Sequence, residues 1–391
     1  MIQLNKLIVS KAKKMDEKIK KWLWQHEDYP NFPYVKDELT SILSSIEYNR
    51  GLLDGISKTF AQEEVKELEM NALIEEALHT SLIEGEYFKR ESVRSSVRKK
   101  LDNLFSHTED SSTHKSDALV AILIDCNLNR EPLSLERLHG WHNALFESGY
   151  DGLHKINVAK FRTHDDMEVV SGAIGHEKVH YLALPQKSIE SDMAKLLAWC
   201  NGSDENIYIK SALAHLWFVS IHPYDDGNGR IARAITDYLL SSFSKTTFKF
   251  YSFSTAINGD RKGYYETLDR TTNLFKNRNY DFTLWIKWHL KTLNHAMQMA
   301  LENIEFVVKK TKFWDKCRDK GLNVRQVKVL TKMLNSTKGN FEGGLNTKKY
   351  MAITKTSRAT AIRDIGQLVE YDCLIQIESI GRNIRYELLL G

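Results

Sequence analysis

The stretch that most restricts this chain is a pair of helical segments joined by a short polar turn. IKSALAHLWFVSI (209–221) carries apolar residues all round, the mark of a buried helix. His222 precedes Pro223, and a residue before proline is biased out of helical geometry, so the helix should end there. IARAITDYLLSSF (231–243) reads as a second helix, and HPYDDGNGR (222–230) joins the two. Five prolines occur, none after Pro223, which favours a mainly helical chain.

The turn holds the parts of a phosphate-transfer site. Glycine N–H groups followed by a helix N-terminus attract anions. Gly227 and Gly229 let backbone approach phosphate oxygens closely, and Arg230 and Arg233 supply fixed positive charge. Asp226 suits Mg²⁺, which takes one or two carboxylates together with substrate phosphates. His222 has the ordinary pKa of a group that accepts a proton from a hydroxyl nucleophile. No Lys follows the glycines, which argues against a P-loop. Upstream, in EEALHTSLIEGEYF, Thr80 and Glu84 share a helix face that Gly85 can terminate.

HPYDDGNGR resembles the Fic family signature, His-Pro-Phe-x-(Asp/Glu)-Gly-Asn-(Gly/Lys)-Arg with a further Arg, and departs from it only in Tyr224. The Thr80–Gly85 stretch resembles the family's inhibitory motif, (Ser/Thr)-x-x-x-Glu-(Gly/Asn). WLWQHEDYPNF, RESVRSSV and AHLWFVSIHP are similar to a long Fic subfamily with a helical leader and a C-terminal winged helix, so the likeness covers nearly the whole chain. It implies a protein adenylyltransferase moving AMP from ATP, with Mg²⁺, onto a Ser, Thr or Tyr hydroxyl of an unidentified protein. In that reading His222 is the base and Asp226 holds the metal. Gly227, Asn228, Gly229 and Arg230 cradle the phosphates, and Arg233 meets the γ-phosphate unless Glu84, beside Thr80, holds it away. Glycine at 229, where lysine is the alternative, resembles the AMP-transferring members.

Residues 167–184 read as a β-hairpin, with strand-like runs around Val169 and Val179 and with Gly172 and Gly175 between. By resemblance this is the flap that docks a target segment by strand addition, with Lys178, Val179 and His180 on the nucleotide side. HEKVH (176–180) matches the zinc pattern HExxH, which requires a helix; on a strand its histidines lie ~13 Å apart. Tyr264 and Tyr265 resemble the aromatic pair of the Fic nucleotide pocket, although Thr272 stands where many members carry Asn. His215, on the apolar helix, reads as a satisfied core histidine.

The expected organisation is an N-terminal helical part with the inhibitory helix (1–105), a Fic core (106–300), and a linker helix with a winged helix-turn-helix (301–391). The leader shows helical spacing from Asp37 to about Leu104 with a break near Gly51, and 107–117 reads as an exposed loop. In the tail, helices at Val324–Leu334, Thr347–Ile353 and Ser357–Tyr371 precede strands at Leu374–Ser379 and Asn383–Leu389. Residues 321–391 hold eleven Lys/Arg against six Asp/Glu, a net +5. Arg358 and Arg363 fall on the would-be recognition helix, and Arg382 and Arg385 fall at the wing. DNA binding is therefore an open alternative to protein docking or a homodimer.

A whole-chain charge of +4 is too small to imply a nucleic-acid partner for the entire protein. Four dispersed cysteines argue against a disulfide framework, and the lysine-flanked three-residue apolar run near the N-terminus is too short for a signal core. A cytoplasmic protein without a membrane partner is expected. The rival readings are a nucleotide-sensing DNA-binding regulator, a zinc hydrolase, and Fic chemistry with another donor or in reverse, as a deAMPylase.

Overall fold

A computed structural model describes residues 20–101, 111–165, 167–171, 178–242, 249–336, 341, 343–377 and 384–390. The lysine-flanked apolar run near the N-terminus, Gly172, Gly175, His176, Glu177 and Arg382 lie outside the described residues. The chain is mainly helical, as its pattern predicts, and divides into two compact units, 1–299 and 300–391. No described helix is long and apolar enough to cross a membrane.

The first unit begins with α1 (Thr40–Thr59), α2 (Gln62–Ile83), α3 (Arg90–Leu101), α4 (His114–Leu128) and α5 (Leu135–Leu145). Two short antiparallel pairs follow, β1 (Tyr150–Asp151) with β2 (His154–Lys155), and β3 (Glu168–Ser171) with β4 (Lys178–Leu182). Then come α6 (Ile189–Gly202), α7 (Ile207–Ile221), α8 (Asn228–Ser242), α9 (Phe253–Gly259), α10 (Arg261–Thr272) and α11 (Thr283–Cys317), whose residues from Ala300 onward belong to the second unit.

Nearly every residue of α7 and α8 is buried, so this pair forms the centre of the unit. Trp285 at the start of α11 fixes α7 by donating its indole N–H to the Ala212 carbonyl at 2.7 Å. Along the same surface runs the aromatic segment 22–34. Phe32 meets Trp217 and Phe282 edge-on, and Trp24 donates its indole N–H to Leu182 at the end of β4.

Two boundaries differ from the sequence expectation. α1 runs unbroken through Gly51 and Gly55, and the break falls at Phe60, where the backbone turns extended. An exposed glycine in a helix costs only about 1 kcal/mol, which the packed face of α1 outweighs. The polar stretch expected as a loop becomes helical at His114. There the Thr113 hydroxyl caps the N–H of Ser116, and Ser116 meets Ser92 and Ser96 of α3 across a buried polar seam.

The second unit continues with α12 (Val324–Leu334), α13 (Thr347–Thr354) and α14 (Arg358–Glu370), then the antiparallel pair β5 (Leu374–Ile377) and β6 (Arg385–Leu388). Phe313, Leu330, Tyr350, Ile365 and Leu374 lie in its own apolar core. Beneath α14, Asp364 accepts bonds from Arg325 and Tyr350, which closes the unit around a satisfied carboxylate.

Candidate active site

The turn between α7 and α8 is built mostly by its own side chains. His222 caps α7 in the left-handed region, with φ 50° and ψ 61°, and not in the extended region that the following proline favours. Its N–H bonds to Phe218 at 3.0 Å, and its carbonyl accepts from buried Arg162 at 2.9 Å, contacts that offset the conformational cost. Asn228 turns inward and spends its amide on Tyr224, with its Oδ1 on the Tyr224 N–H and its Nδ2 on the carbonyl. The Tyr224 ring stacks on His142 at 4.2 Å, and its hydroxyl meets His139 Nδ1 at 3.0 Å. The hydroxyl that distinguishes Tyr224 from phenylalanine is thus partnered.

Arg230 and Arg233, near the start of α8, are both engaged from the C-terminal end of α2. Arg233, 2% exposed, donates to the Thr80 hydroxyl at 2.8 Å, to the Thr80 carbonyl at 2.9 Å and to Glu84 at 2.7 Å. Arg230 donates to Glu86 at 2.6 Å, with its guanidinium over the Phe146 ring. Glu86 was not expected. The only sequence signal for it is a second acid flanking Gly85. Gly85 sits at φ 87° and closes α2 with a Schellman pair, Glu86 N–H on Ser81 and Gly85 N–H on Leu82, which fixes the two carboxylates on either side of it.

At Gly229 the Glu84 carboxylate lies where a Cβ would stand, so the missing side chain leaves room for an anion there. Among the described residues, Arg230 Nε and Arg233 Nη1 are buried donors without a hydrogen-bond acceptor, as expected of a site made for more oxygen atoms than Glu84 and Glu86 supply. Phosphate oxygens fit that deficit.

His222 Nδ1 donates to the Val219 carbonyl at 3.3 Å, which leaves Nε2 unprotonated. Burial, reinforced by the Arg162 charge, pulls its pKa down to about 4, so the ring is neutral at physiological pH. Asp226 is pushed up to about 7 by burial, with neighbouring Asp151 adding to the effect and Arg230 opposing it. A buried carboxylate with a second carboxylate, Asp151, beside it fits a divalent cation. Among the described residues no group of three or more His, Cys, Asp or Glu is placed to hold a metal ion, and Lys178, Val179 and His180 of HEKVH lie on strand β4.

A cavity of about 360 Å³ gathers His222, Gly229, Glu84, Tyr264, Tyr265, Thr272 and His180 along its wall. Tyr264 is held there by His215, whose Nε2 meets its hydroxyl at 2.9 Å while Nδ1 meets Thr236. Thr272 gives its hydroxyl proton to the Leu268 carbonyl. Val179 lies half-buried in β4.

Residues 132–240 match the model of the Fic/DOC family, and residues 22–102 match a domain of unknown function, DUF4172. A solved Fic family protein from Desulfovibrio desulfuricans G20 has a similar fold, with a TM-score of 0.53 and 16% identity over 92% of this chain and 98% of that one. A curated relative, the uridine 5'-monophosphate transferase of Xanthomonas campestris pv. campestris (strain 8004), is 36% identical over 64 residues, 14% of this chain. That match spans only 12% of the relative's length.

Proposed function

Because residues 132–240 form a Fic/DOC family domain, we propose that the protein is a nucleotidyltransferase that moves AMP from ATP onto a Ser, Thr or Tyr hydroxyl of a target protein. We further propose that Glu84 holds this activity back. The observation that carries the reading is one cavity on which a neutral histidine, the anion cradle at Gly229 and the carboxylate engaging Arg233 all meet.

His222 Nε2 accepts the proton of the target hydroxyl as that oxygen attacks the α-phosphorus, and the α–β phosphoanhydride bond breaks to release pyrophosphate. The N–H groups at the start of α8, with Arg230 and Arg233, bear the charge that develops on the phosphate oxygens. Asp226 would hold Mg²⁺, which supplies neutralising charge to the polyphosphate when bound. Tyr264 and Tyr265 offer rings to the base. While Glu84 keeps Arg233, the γ-phosphate lacks its cationic partner and the donor sits out of line; a misplacement of about 1 Å can cost ~10²-fold in rate. The β3–β4 pair, with no third strand bonded to it among the described residues, offers an edge to a target segment. The name of the curated relative, a uridine 5'-monophosphate transferase, favours a second reading, UMP transfer from UTP by the same residues.

The test is self-modification with labelled ATP or UTP under equal Mg²⁺. Glu84→Gly should raise incorporation by about 10²-fold or more. Arg233→Ala should cancel that gain, and His222→Ala should lower it by ~10²–10⁴-fold while nucleotide still binds. Equal activity in the parent and Glu84→Gly would sink the inhibitory role, and a stronger signal with UTP would reassign the donor.

A further inference from the structure

Arg162 is fully buried, yet each of its hydrogen-bond acceptors is a backbone carbonyl. Nε reaches His222 at 2.9 Å, Nη1 reaches His164 at 2.5 Å, and Nη2 reaches Leu184, just past the end of β4. Its own N–H bonds to the Pro223 carbonyl at 2.9 Å. One rigid fork thus ties together the loop before the hairpin, the hairpin's root and the turn that carries the base. Tyr181 of β4 adds a parallel tie, its hydroxyl donating to Ser220 in the last turn of α7 at 3.0 Å.

Burial pulls the Arg162 pKa down to about 10, so it stays cationic at neutral pH. A residue kept only to fill space there would be apolar, because an ion without a directly bonded counter-ion is costly to bury. What the guanidinium adds is geometry.

We propose that Arg162 is a positioning residue that sets His222 against the root of the β3–β4 hairpin, so that the base faces an acceptor hydroxyl laid along that hairpin. The inference rests on the functional reading above. The acceptor side and the base lie on different segments, and Arg162 spans them. Loosening this clamp leaves the donor-side groups, Arg230, Arg233 and Gly229, on their own helix. Turnover therefore falls while nucleotide binding persists.

The test compares Arg162→Lys and Arg162→Met in the full chain carrying Glu84→Gly. It reads thermal unfolding, the KM for ATP and the kcat of self-modification. Arg162→Lys keeps the charge but cannot hold three carbonyls in one plane. It should unfold cooperatively, keep KM within about threefold and lose about 10²-fold in kcat, with Arg162→Met lower still. A lysine variant with the parent's kcat overturns the proposal. So does a loss that appears only as the protein melts, or one that falls on KM. If Glu84→Gly with Arg162 intact transfers no nucleotide, the functional reading fails by itself. The clamp is then read from the imidazole carbon resonance of His222, assigned through His222→Ala. A shift in folded Arg162→Lys sustains the clamp, and an unmoved resonance overturns it.

Discussion

Glu86 holds Arg230 at 2.6 Å as Glu84 holds Arg233, so on the proposed reading a donor polyphosphate would meet two occupied cations. Glu86→Gln keeps a hydrogen-bond acceptor but removes the competing charge, and it should tighten ATP binding by up to about tenfold, ~1.4 kcal/mol. Equilibrium dialysis would show this, and unchanged affinity would mean that Arg230 is not the residue ATP competes for. A second outcome concerns protons. Asp226, with its pKa raised to about 7, is protonated below that pH when no metal is bound, and binding a cation must expel the proton. The Mg²⁺ concentration for half-maximal transfer should therefore climb, by up to about tenfold per unit, as pH falls below about 7. His222, with its pKa near 4, stays neutral over that range and does not confound the titration. At this scale the place of the turn was legible, because apolar helical spacing on both sides brackets a run with two glycines. Arg162 and Glu86 were not, since an arginine in KFRTHDD and an acid after Gly85 look like ordinary surface charge until the fold encloses them.

Among the elements, α2 is the one whose end matters most. Gly85, at φ 87°, permits the Schellman closure that sets Glu84 and Glu86 on their arginines. Gly85→Ala places a side chain in the left-handed region at a cost of roughly 1–2 kcal/mol, which should fray that last turn. Self-modification should rise several-fold as the melting temperature drops. A lower melting temperature with basal activity unmoved would separate the helix end from the inhibition. The tail helices and both of its strands lie within a few residues of where the apolar spacing puts them, because each is bounded by polar or turn residues. The pattern misplaced the leader's break because it read Gly51 as punctuation, whereas a packed helix absorbs an exposed glycine. It placed the helix end at His222 but not its left-handed conformation, in which the carbonyl accepts from Arg162, sixty residues earlier in the chain.

On the scale of the whole molecule, the described residues of the candidate site all fall within the unit 1–299. A chain ending at residue 299 and carrying Glu84→Gly should keep transfer within about threefold of the full-length variant; complete loss would assign the second unit a part in catalysis. That second unit, with three helices followed by a paired ribbon, is proposed here as a winged helix-turn-helix. Arg358, Arg363 and Arg385 are exposed on it, while Arg325 is bound to Asp364. If these three arginines meet phosphates, duplex affinity of the full chain should fall with salt at a log–log slope of about −2.7. Binding that ignores salt would exclude the basic face, and no binding at all would favour a protein partner. The closure of α2 has one more consequence for the intact protein. Glu84 and Glu86 follow the last turn of α2 on either side of a single glycine. On the proposed reading, an input that unwinds this turn would free both arginines, so one event at a helix end would act on both phosphate contacts.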